Sequence, residues 1–180
     1  MNSEINPSVI DFEASGFGAE SYPVEVGIVT SDGERYCSMI RPHKKWRFWD
    51  STAEAVHGIS RELLEEKGRP ITEICHELNA FANNSVLYSD AWVHDKPWLI
   101  KLFQFGAVDM EFSLSPIEAI VTEEQLEIWD EVKERIAETS NFIRHRASND
   151  ALIIQQTYLE TRRLKQKNHG DRPVSSSYSS

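Results

Sequence analysis

The chain has 180 residues, of which 40% are hydrophobic and 27% charged, so it has the size and composition of one compact domain with a substantial core. Its formal net charge of -10 argues against a protein that holds long nucleic acid mainly by neutralising phosphates, unless many of the acids are gathered to bind divalent cations. No apolar run approaches the ~20 residues of a membrane span, and the N-terminus lacks the pattern of a secretory signal, so we expect a cytoplasmic protein without a membrane partner.

The N-terminal part of the chain predicts a three-stranded meander. Residues 8–11 are a short apolar run that ends in an acid. Residues 24–30 and 35–40 flank Asp32-Gly33, a pair that is typical of two-residue hairpin turns. We therefore expect three consecutive strands joined by short turns.

A basic and aromatic segment, RPHKKWRFW at residues 41–49, follows the meander. Such a mixture suits contact with phosphates and stacking on single-stranded bases. It equally suits a segment in which Trp46 and Trp49 pack on the core while Lys44 and Lys45 stay solvated. The sequence leaves both interpretations open.

Helices and single strands alternate in the next part of the chain. Ser60 can cap a helix, and residues 71–81 repeat apolar side chains at helical spacing. The run VLYSDAW predicts a fourth strand and residues 108–112 predict a fifth, with a helix around Trp98 between them. This alternation is typical of a sheet with helices packed against it.

Two further helices complete the predicted domain. Thr122 and Gln125 form a capping box ahead of an amphipathic helix, and a final helix starts near Ala147. The element order predicts an α/β fold, with a mixed five-stranded sheet flanked by helices, over residues 1–164. Residues 165–180 lack apolar periodicity, so we expect a disordered C-terminal tail.

Asp11 and Glu13 are the first candidate site residues. They lie two residues apart at a strand end, so both side chains leave the same face and can bind one site. In a chain with 29 acidic residues such a pair is common on a solvated strand end. The glycine-containing turn at residues 14–18 adds weight, because it lets backbone and ligand approach closely beside the acids.

Asp95 is the next candidate acid. It follows the fourth predicted strand and precedes Pro97, a residue favoured in the first turn of a helix. An aspartate at such a junction is commonly a helix cap, and Asp90 competes with it for a place in the site. Asp95 is preferred because Trp98 and Leu99 would anchor its helix to the core and fix its carboxylate.

His145 and Asp150 complete the candidate set. On one continuous helix they would point roughly 140° apart, too far to share a site. If the last helix begins near Ala147, His145 lies on the entering loop and Asp150 in the first turn, so both can converge. Without the other candidates, a surface histidine beside a solvated aspartate is the simpler interpretation.

Three segments resemble the motifs of the DEDDh family of 3′-to-5′ exonucleases. DFEASG resembles the first motif and DKPWL the second, while HRASND resembles the third, in which a histidine precedes an aspartate by five residues. PVEVGIV and VHGIS resemble the second strand of that family and the element before its first helix. This family includes the proofreading subunit of bacterial DNA polymerase III, ribonuclease T and oligoribonuclease.

The likeness covers about residues 8–160 and is to the family rather than to one member. One departure stands before the second motif. Many relatives carry His-Asn about five residues ahead of the aspartate, whereas this chain has Asp90-Ala91. The role of Asp90, in the metal site or facing solvent, is left open.

The resemblance implies a ribonuclease H-like fold and phosphodiester hydrolysis with two divalent cations, Mg²⁺ or Mn²⁺. It assigns His145 as general base, a role that suits an imidazole because its ordinary pKa lies near 6.5. We expect divalent cations to stabilise the fold, because clustered carboxylates repel one another without them. The implied metal ligands are Asp11, Glu13, Asp95 and Asp150.

The resemblance also implies substrates and contacts for them. The expected partners are 3′ ends of single-stranded RNA or DNA, with short oligonucleotides favoured by the acidic composition, and the preferred sugar is left open. Ser15, Phe17 and His57 are candidate contacts to the terminal nucleotide, and packing roles for Phe17 and His57 remain an alternative. A homodimer is a further partner state that the sequence leaves open.

Two other functions compete with the exonuclease. One is a nuclease-like module that binds nucleic acid or a protein without cleaving, against which the complete ligand set argues. The other is an acidic interaction domain with an accidental likeness, which requires five positions in three contexts to coincide.

Overall fold

The strands of the chain form one mixed sheet. In a computed structural model that describes residues 6–140 and 142–170, the strands pair in the order 3-2-1-4-5, counted along the chain. The first three pair antiparallel as the predicted meander, and the last two extend the sheet in parallel. The predicted mixed five-stranded sheet is confirmed. The strands span Ser8–Ala14 (β1), Pro23–Val29 (β2), Arg35–Met39 (β3), Val86–Ser89 (β4) and Ser113–Pro116 (β5).

Two of the helices begin directly after the capping residues that the sequence predicts, Ser60 and Thr122. Ser60 accepts a hydrogen bond from the Leu63 backbone N–H at 3.1 Å, and Thr122 and Gln125 form the predicted capping box. The first helix was not predicted; it is short and is capped by Asp50, which accepts from the Thr52 N–H. The helices span Ser51–His57 (α1), Arg61–Lys67 (α2), Ile71–Ala82 (α3), Trp92–Gly106 (α4), Glu123–Leu126 (α5), Trp129–Thr139 (α6) and Ala147–Gly170 (α7).

The sheet carries a packed layer on each face. Ile10 and Phe12 of β1 belong to the larger core, which also contains buried side chains of α3 and α4. Val9, one position away, belongs to a smaller core with Ile154 and Tyr158 of α7. Because side chains alternate along a strand, Asp11 and Glu13 share the face of Val9 and point to the side of α7.

The β2–β3 turn differs from the predicted two-residue hairpin. The Thr30 N–H donates to the Glu34 carbonyl at 2.9 Å, so three residues rather than two close the loop. Gly33 has φ +89°, in the left-handed region that glycine adopts without strain. A positive φ at the last loop position is typical of three-residue hairpin loops.

The predicted fifth strand at residues 108–112 is wrong, and β5 starts immediately after it. The side chain of Asn79 on α3 donates to the Asp109 carbonyl at 2.8 Å and accepts from the Glu111 N–H at 3.1 Å. These contacts hold the segment against α3 instead of in the sheet. Sequence periodicity cannot reveal such a contact, because its partners lie about thirty residues apart in the chain.

Three helix boundaries also differ from prediction. Pro97 is the sixth residue of α4 and not in its first turn, since the Asp95 N–H already bonds to the Ala91 carbonyl. The predicted single helix after Thr122 is two helices, α5 and α6. Residues 165–170 of the predicted disordered tail are the last turns of α7, where Lys165 pairs with Glu127 at 3.3 Å. Residues 171–180 of that tail lie outside the described residues.

Within residues 6–140 and 142–170, no helix is both long enough and apolar enough to cross a membrane.

Candidate active site

The acids Asp11 and Glu13 lie on the central strand, β1. Asp11 pairs with Gly27 of β2 and Glu13 with Glu25 in the antiparallel register. Asp11 is 9% exposed, and Glu13 is half-buried at the point where the register of the β1–β2 pairing shifts. Both carboxyls therefore project from a fixed strand towards α7, as the alternation of side chains requires.

Gly27 lets the start of α7 approach the sheet closely. A Cβ atom at this position would lie 2.2 Å from the Ser148 nitrogen and 2.3 Å from the Ala147 carbonyl carbon. No side chain fits such a gap, because these neighbours are backbone atoms. The first turn of α7 thus rests directly on β2, beside the two acids of β1.

His145 lies on the loop before α7 and Asp150 in the first turn of that helix, the arrangement that the sequence predicts for a helix beginning near Ala147. The His145 N–H donates to Asp150 Oδ2 at 3.0 Å, which ties the loop to the helix. His145 has φ +59°, a conformation that few residues other than glycine adopt without support from their surroundings. Ligand atoms of Glu13, His145 and Asp150 lie within 4.8 Å of one another.

Asp95 completes the acid cluster from the first turn of α4. It is 1% exposed, and its Oδ2 accepts a hydrogen bond from the Ser89 hydroxyl at the end of β4. Its other oxygen, Oδ1, is buried without a hydrogen-bond partner. A buried carboxylate oxygen without a donor is costly, so this atom suits a bound cation.

The cluster holds its protons unusually tightly. Burial, and then the charges of Asp95, Glu13 and Asp150, raise the pKa of Asp11 well above its ordinary value. Burial and neighbouring acids raise the pKa of Glu13 to about 8. Burial also raises the pKa of Asp95, to about 7, and that of Asp150. Divalent cations would relieve this repulsion, so the four carboxyls fit the metal pair that the sequence predicts.

Asp90, whose role the sequence left open, forms an ion pair with Lys133 of α6. Burial of Lys133 lowers its pKa, but Asp90, and more weakly Asp11 and Asp150, outweigh that effect and raise it. Lys133 therefore stays charged and offsets part of the negative charge of the cluster. Sequence patterns did not indicate this lysine, because the fold brings α6 to β4 across 43 residues.

Comparisons with solved structures identify the fold. The zinc-bound complex of E. coli exonuclease I with single-stranded DNA has a TM-score of 0.65 at 12% identity, and the match covers 92% of this chain and 43% of that one. The E. coli exonuclease I complex with a dA16 oligonucleotide has a TM-score of 0.65 at 12% identity, covering 90% and 42%. Exonuclease I in its apo form has a TM-score of 0.63 at 11% identity, covering 92% and 44%.

The chain has the ribonuclease H-like fold of these exonucleases. It spans less than half the length of each of them, and identity this low establishes the fold alone. No family model and no curated protein matches the chain.

A cavity of about 320 Å³ opens beside the acid cluster of this exonuclease-like fold. Phe17 and His57, two predicted substrate contacts, line it, whereas the hydroxyl of Ser15 is buried and accepts the Tyr22 N–H at 3.1 Å. His57 Nδ1 accepts the Ile59 N–H at 3.0 Å, and burial lowers the pKa of His57, so its neutral form is favoured. The lining of the cavity combines acidic side chains with apolar and aromatic groups.

Two lining residues that sequence reasoning did not assign to the site are His94 and Trp98. They lie four apart on α4, on either side of Asp95, so helical spacing places them on one face. His94 stacks on Trp98 with ring centroids 5.9 Å apart, and Phe17 meets His94 edge-on at 5.2 Å. Phe17 is 69% exposed, so this aromatic wall presents a ring to solvent at the mouth of the cavity.

In the basic and aromatic segment at residues 41–49, the structure favours the packing interpretation, because Trp46 and Trp49 both pack on the larger core. Trp46 is 4% exposed and stacks on Tyr22 with centroids 5.1 Å apart, which supports the packing role for this residue. Lys44 and Lys45 are exposed. Phe48 is exposed beside the turn that follows the first acids, where a Cβ on Gly16 would lie 2.7 Å from its ring.

Proposed function

We propose that this chain is a metal-dependent 3′-to-5′ exonuclease of the DEDDh type, which hydrolyses single-stranded RNA or DNA to nucleoside monophosphates. The observation that carries the proposal is that four carboxyls and His145 line one cavity, with ligand atoms of Glu13, His145 and Asp150 within 4.8 Å of one another. The match to exonuclease I structures adds support from the fold. The motifs alone support the finer placement near ribonuclease T and the DNA polymerase III proofreading subunit.

The four carboxyls would hold two divalent cations. The atoms that would coordinate the metal are all carboxylate oxygens, a set that favours Mg²⁺ or Mn²⁺. Bound there, such a pair would supply a water of lowered pKa and would offset the negative charge on the leaving oxygen. The residues that would ligate them are Asp11, Glu13, Asp95 and Asp150.

His145 would act as the general base that takes the proton of the attacking water. It lies outside α7, so its ring can reach a molecule placed among the carboxyls. Asp150 fixes its backbone through the 3.0 Å hydrogen bond. A positioned base of this kind typically contributes about 10²- to 10⁴-fold to the rate of proton-transfer catalysis.

The cavity would receive the terminal nucleotide of a single strand. Its volume, about 320 Å³, falls in the usual range for small-ligand pockets, about 300 to 1,000 Å³. Phe17, His94 and Trp98 offer rings on which bases can stack, a mode of binding that tolerates any base. The single-stranded DNA complexes of exonuclease I support a single-stranded substrate for this chain as well.

The proposal is tested with single-stranded RNA and DNA oligonucleotides that carry a label at the 5′ or the 3′ end. With Mn²⁺ or Mg²⁺ we expect a ladder of shortened 5′-labelled products and early release of a labelled mononucleotide from the 3′ end, both abolished by EDTA. Comparison of the two sugars gives the preferred substrate. Binding of the oligonucleotides without cleavage would favour a noncatalytic module instead.

A further inference from the structure

Glu25 of β2 is a fully buried carboxylate outside the proposed ligand set. It is 0% exposed and faces Glu13 directly across the β1–β2 pair. Two like charges opposite each other in a sheet are destabilising, and a buried acid is tolerated only when it is well paired. The position therefore needs an explanation other than packing.

The partners of Glu25 are the two residues that follow His145 in the chain. Arg146 Nε donates to both carboxylate oxygens, at 3.0 and 3.1 Å, and its terminal nitrogen adds a third bond. The Ala147 N–H donates to the same carboxylate at 2.9 Å. One side chain on a rigid strand thus holds both the end of the His145 loop and the start of α7.

Arg35 of β3 makes further contacts on both sides of the His145 loop. Arg35 donates to Asn149 Oδ1 at 2.7 Å and lies 5.7 Å from the centre of the Phe142 ring. With these anchors on both sides, His145 is held in its positive-φ conformation beside Glu13 and Asp150. A residue in that region normally needs such support from its surroundings.

We infer that Glu25 is a positioning residue for His145, acting through its two-pronged bond to Arg146. The inference rests on the proposed function, since it concerns the placement of the proposed base. Burial and neighbouring acids, Glu25 among them, raise the pKa of Glu13 to about 8, and the charge of Arg146 opposes this only in part. Glu25 itself is fully buried and is not among the residues that line the cavity.

The first test compares Glu25→Gln and Arg146→Lys with wild type on a short labelled oligonucleotide. A small misplacement of a catalytic group costs about 10²-fold, so we expect kcat to fall by about 10- to 100-fold while KM changes by less than about threefold. Arg146→Lys keeps the positive charge but loses the two-pronged geometry. It tests the same bond from the partly exposed partner, in case Glu25→Gln, at a buried position, does not fold. Glu160→Gln is the matched control, because it breaks an Arg163 pair of similar geometry on the surface of α7.

The deciding readouts separate positioning from a general structural effect. In a His145→Ala background, Glu25→Gln should change kcat by less than about threefold, since residues that act as one unit are not additive. The Mn²⁺ concentration for half-maximal activity should also stay within about threefold of wild type. A full additional loss in the His145→Ala background, or a large shift in the Mn²⁺ requirement, would overturn the inference.

A measurement independent of activity distinguishes failure of this inference from failure of the proposed function. Hydrogen exchange of the backbone amides at residues 142–149 should be faster in Glu25→Gln than in wild type or Glu160→Gln. If wild type does not cleave, the proposed function fails, and the exchange rates still report whether Glu25 holds the loop. Equal exchange in all three proteins would refute the anchoring role.

Discussion

At the scale of single residues, the candidate site contains buried carboxyl groups whose charge is only partly compensated by hydrogen-bond donors or cations. Asp95 Oδ1 is buried without a donor, and Asp11 is surrounded by three other acids of the site. Such arrangements lower the stability of the metal-free protein and are common where stability is sacrificed for function. The cost is specific to the charged form of each carboxyl.

Asp95→Asn should therefore stabilise the metal-free protein. The amide keeps an acceptor for the Ser89 hydroxyl but removes the charge that repels Asp11. We expect the melting temperature in EDTA to rise by several degrees, since about 1 kcal/mol corresponds to about 2–4 °C for a domain of this size. The same variant should lose most of the stabilisation by Mn²⁺. A lower melting temperature in EDTA would show that the carboxylate is not strained.

The pH dependence of stability should follow the raised pKa of Glu13. Because this pKa is about 8 in the folded chain and near 4.5 when unfolded, the folded state binds the proton more tightly. The resulting stabilisation is full at low pH and is lost as pH rises towards 8. In EDTA, the melting temperature should fall between pH 6.5 and pH 8.5, and fall less in Glu13→Gln. Equal slopes in the two proteins would contradict the raised pKa.

At the scale of secondary-structure elements, the sequence predicted helix starts that depend on hydrogen bonds between residues close together in the chain. Ser60 and Thr122 mark helix starts through hydrogen bonds within four residues. The last helix begins at Ala147, as predicted, with His145 on the loop before it and Asp150 in its first turn. The prediction of a strand at residues 108–112 was wrong because Asn79, about thirty residues earlier in the chain, holds that segment against α3.

The residues near the candidate site that the sequence did not predict are brought there by contacts between distant parts of the chain. The pairing of Lys133 with Asp90 joins α6 to the end of β4. The aromatic wall joins Phe17, after β1, to His94 on α4. The candidate acids could be proposed from the sequence because each resembled motif lies within a short segment, whereas these contacts follow only from the fold.

The close approach of α7 to β2 gives a prediction at this scale. In Gly27→Ala the new methyl group would displace the first turn of α7, and with it His145 and Asp150. Overpacking of this kind costs about 1–3 kcal/mol, so we expect lower stability together with a large loss of kcat.

Gly68→Ala is the matched control for Gly27→Ala. Its Cβ would lie 2.3 Å from the Leu64 carbonyl oxygen, also a backbone atom, but at a site remote from the acids. It should destabilise the fold and leave kcat per folded molecule near wild type. Equal loss of kcat in both variants would show that the contact at α7 has no special role.

At the scale of the whole molecule, the net charge of -10 appeared to argue against nucleic acid. The structure places the four candidate metal ligands at one cavity, which Asp50 also lines. Bound divalent cations would reverse the local charge there, which the average composition cannot reveal.

Metal should therefore stabilise the folded chain as a whole. The melting temperature should rise with Mn²⁺ concentration, because the unfolded chain cannot gather the four carboxyls. Thermal denaturation in a Mn²⁺ series measures the effect, with Asp32→Asn as a control for an acid on the remote hairpin turn. No rise at millimolar Mn²⁺ would count against an intact metal site.

The most direct test of the central claim is the rate of 3′-end degradation of a 5′-labelled single-stranded oligonucleotide with Mn²⁺, in wild type and Asp11→Asn. Asp11 lies at the centre of the acid cluster, and the amide preserves its shape but not its charge. We expect stepwise shortening by wild type and a loss of at least about 100-fold in Asp11→Asn, with the variant still folded. Equal degradation by both proteins, or none by wild type with metal bound, would contradict that claim.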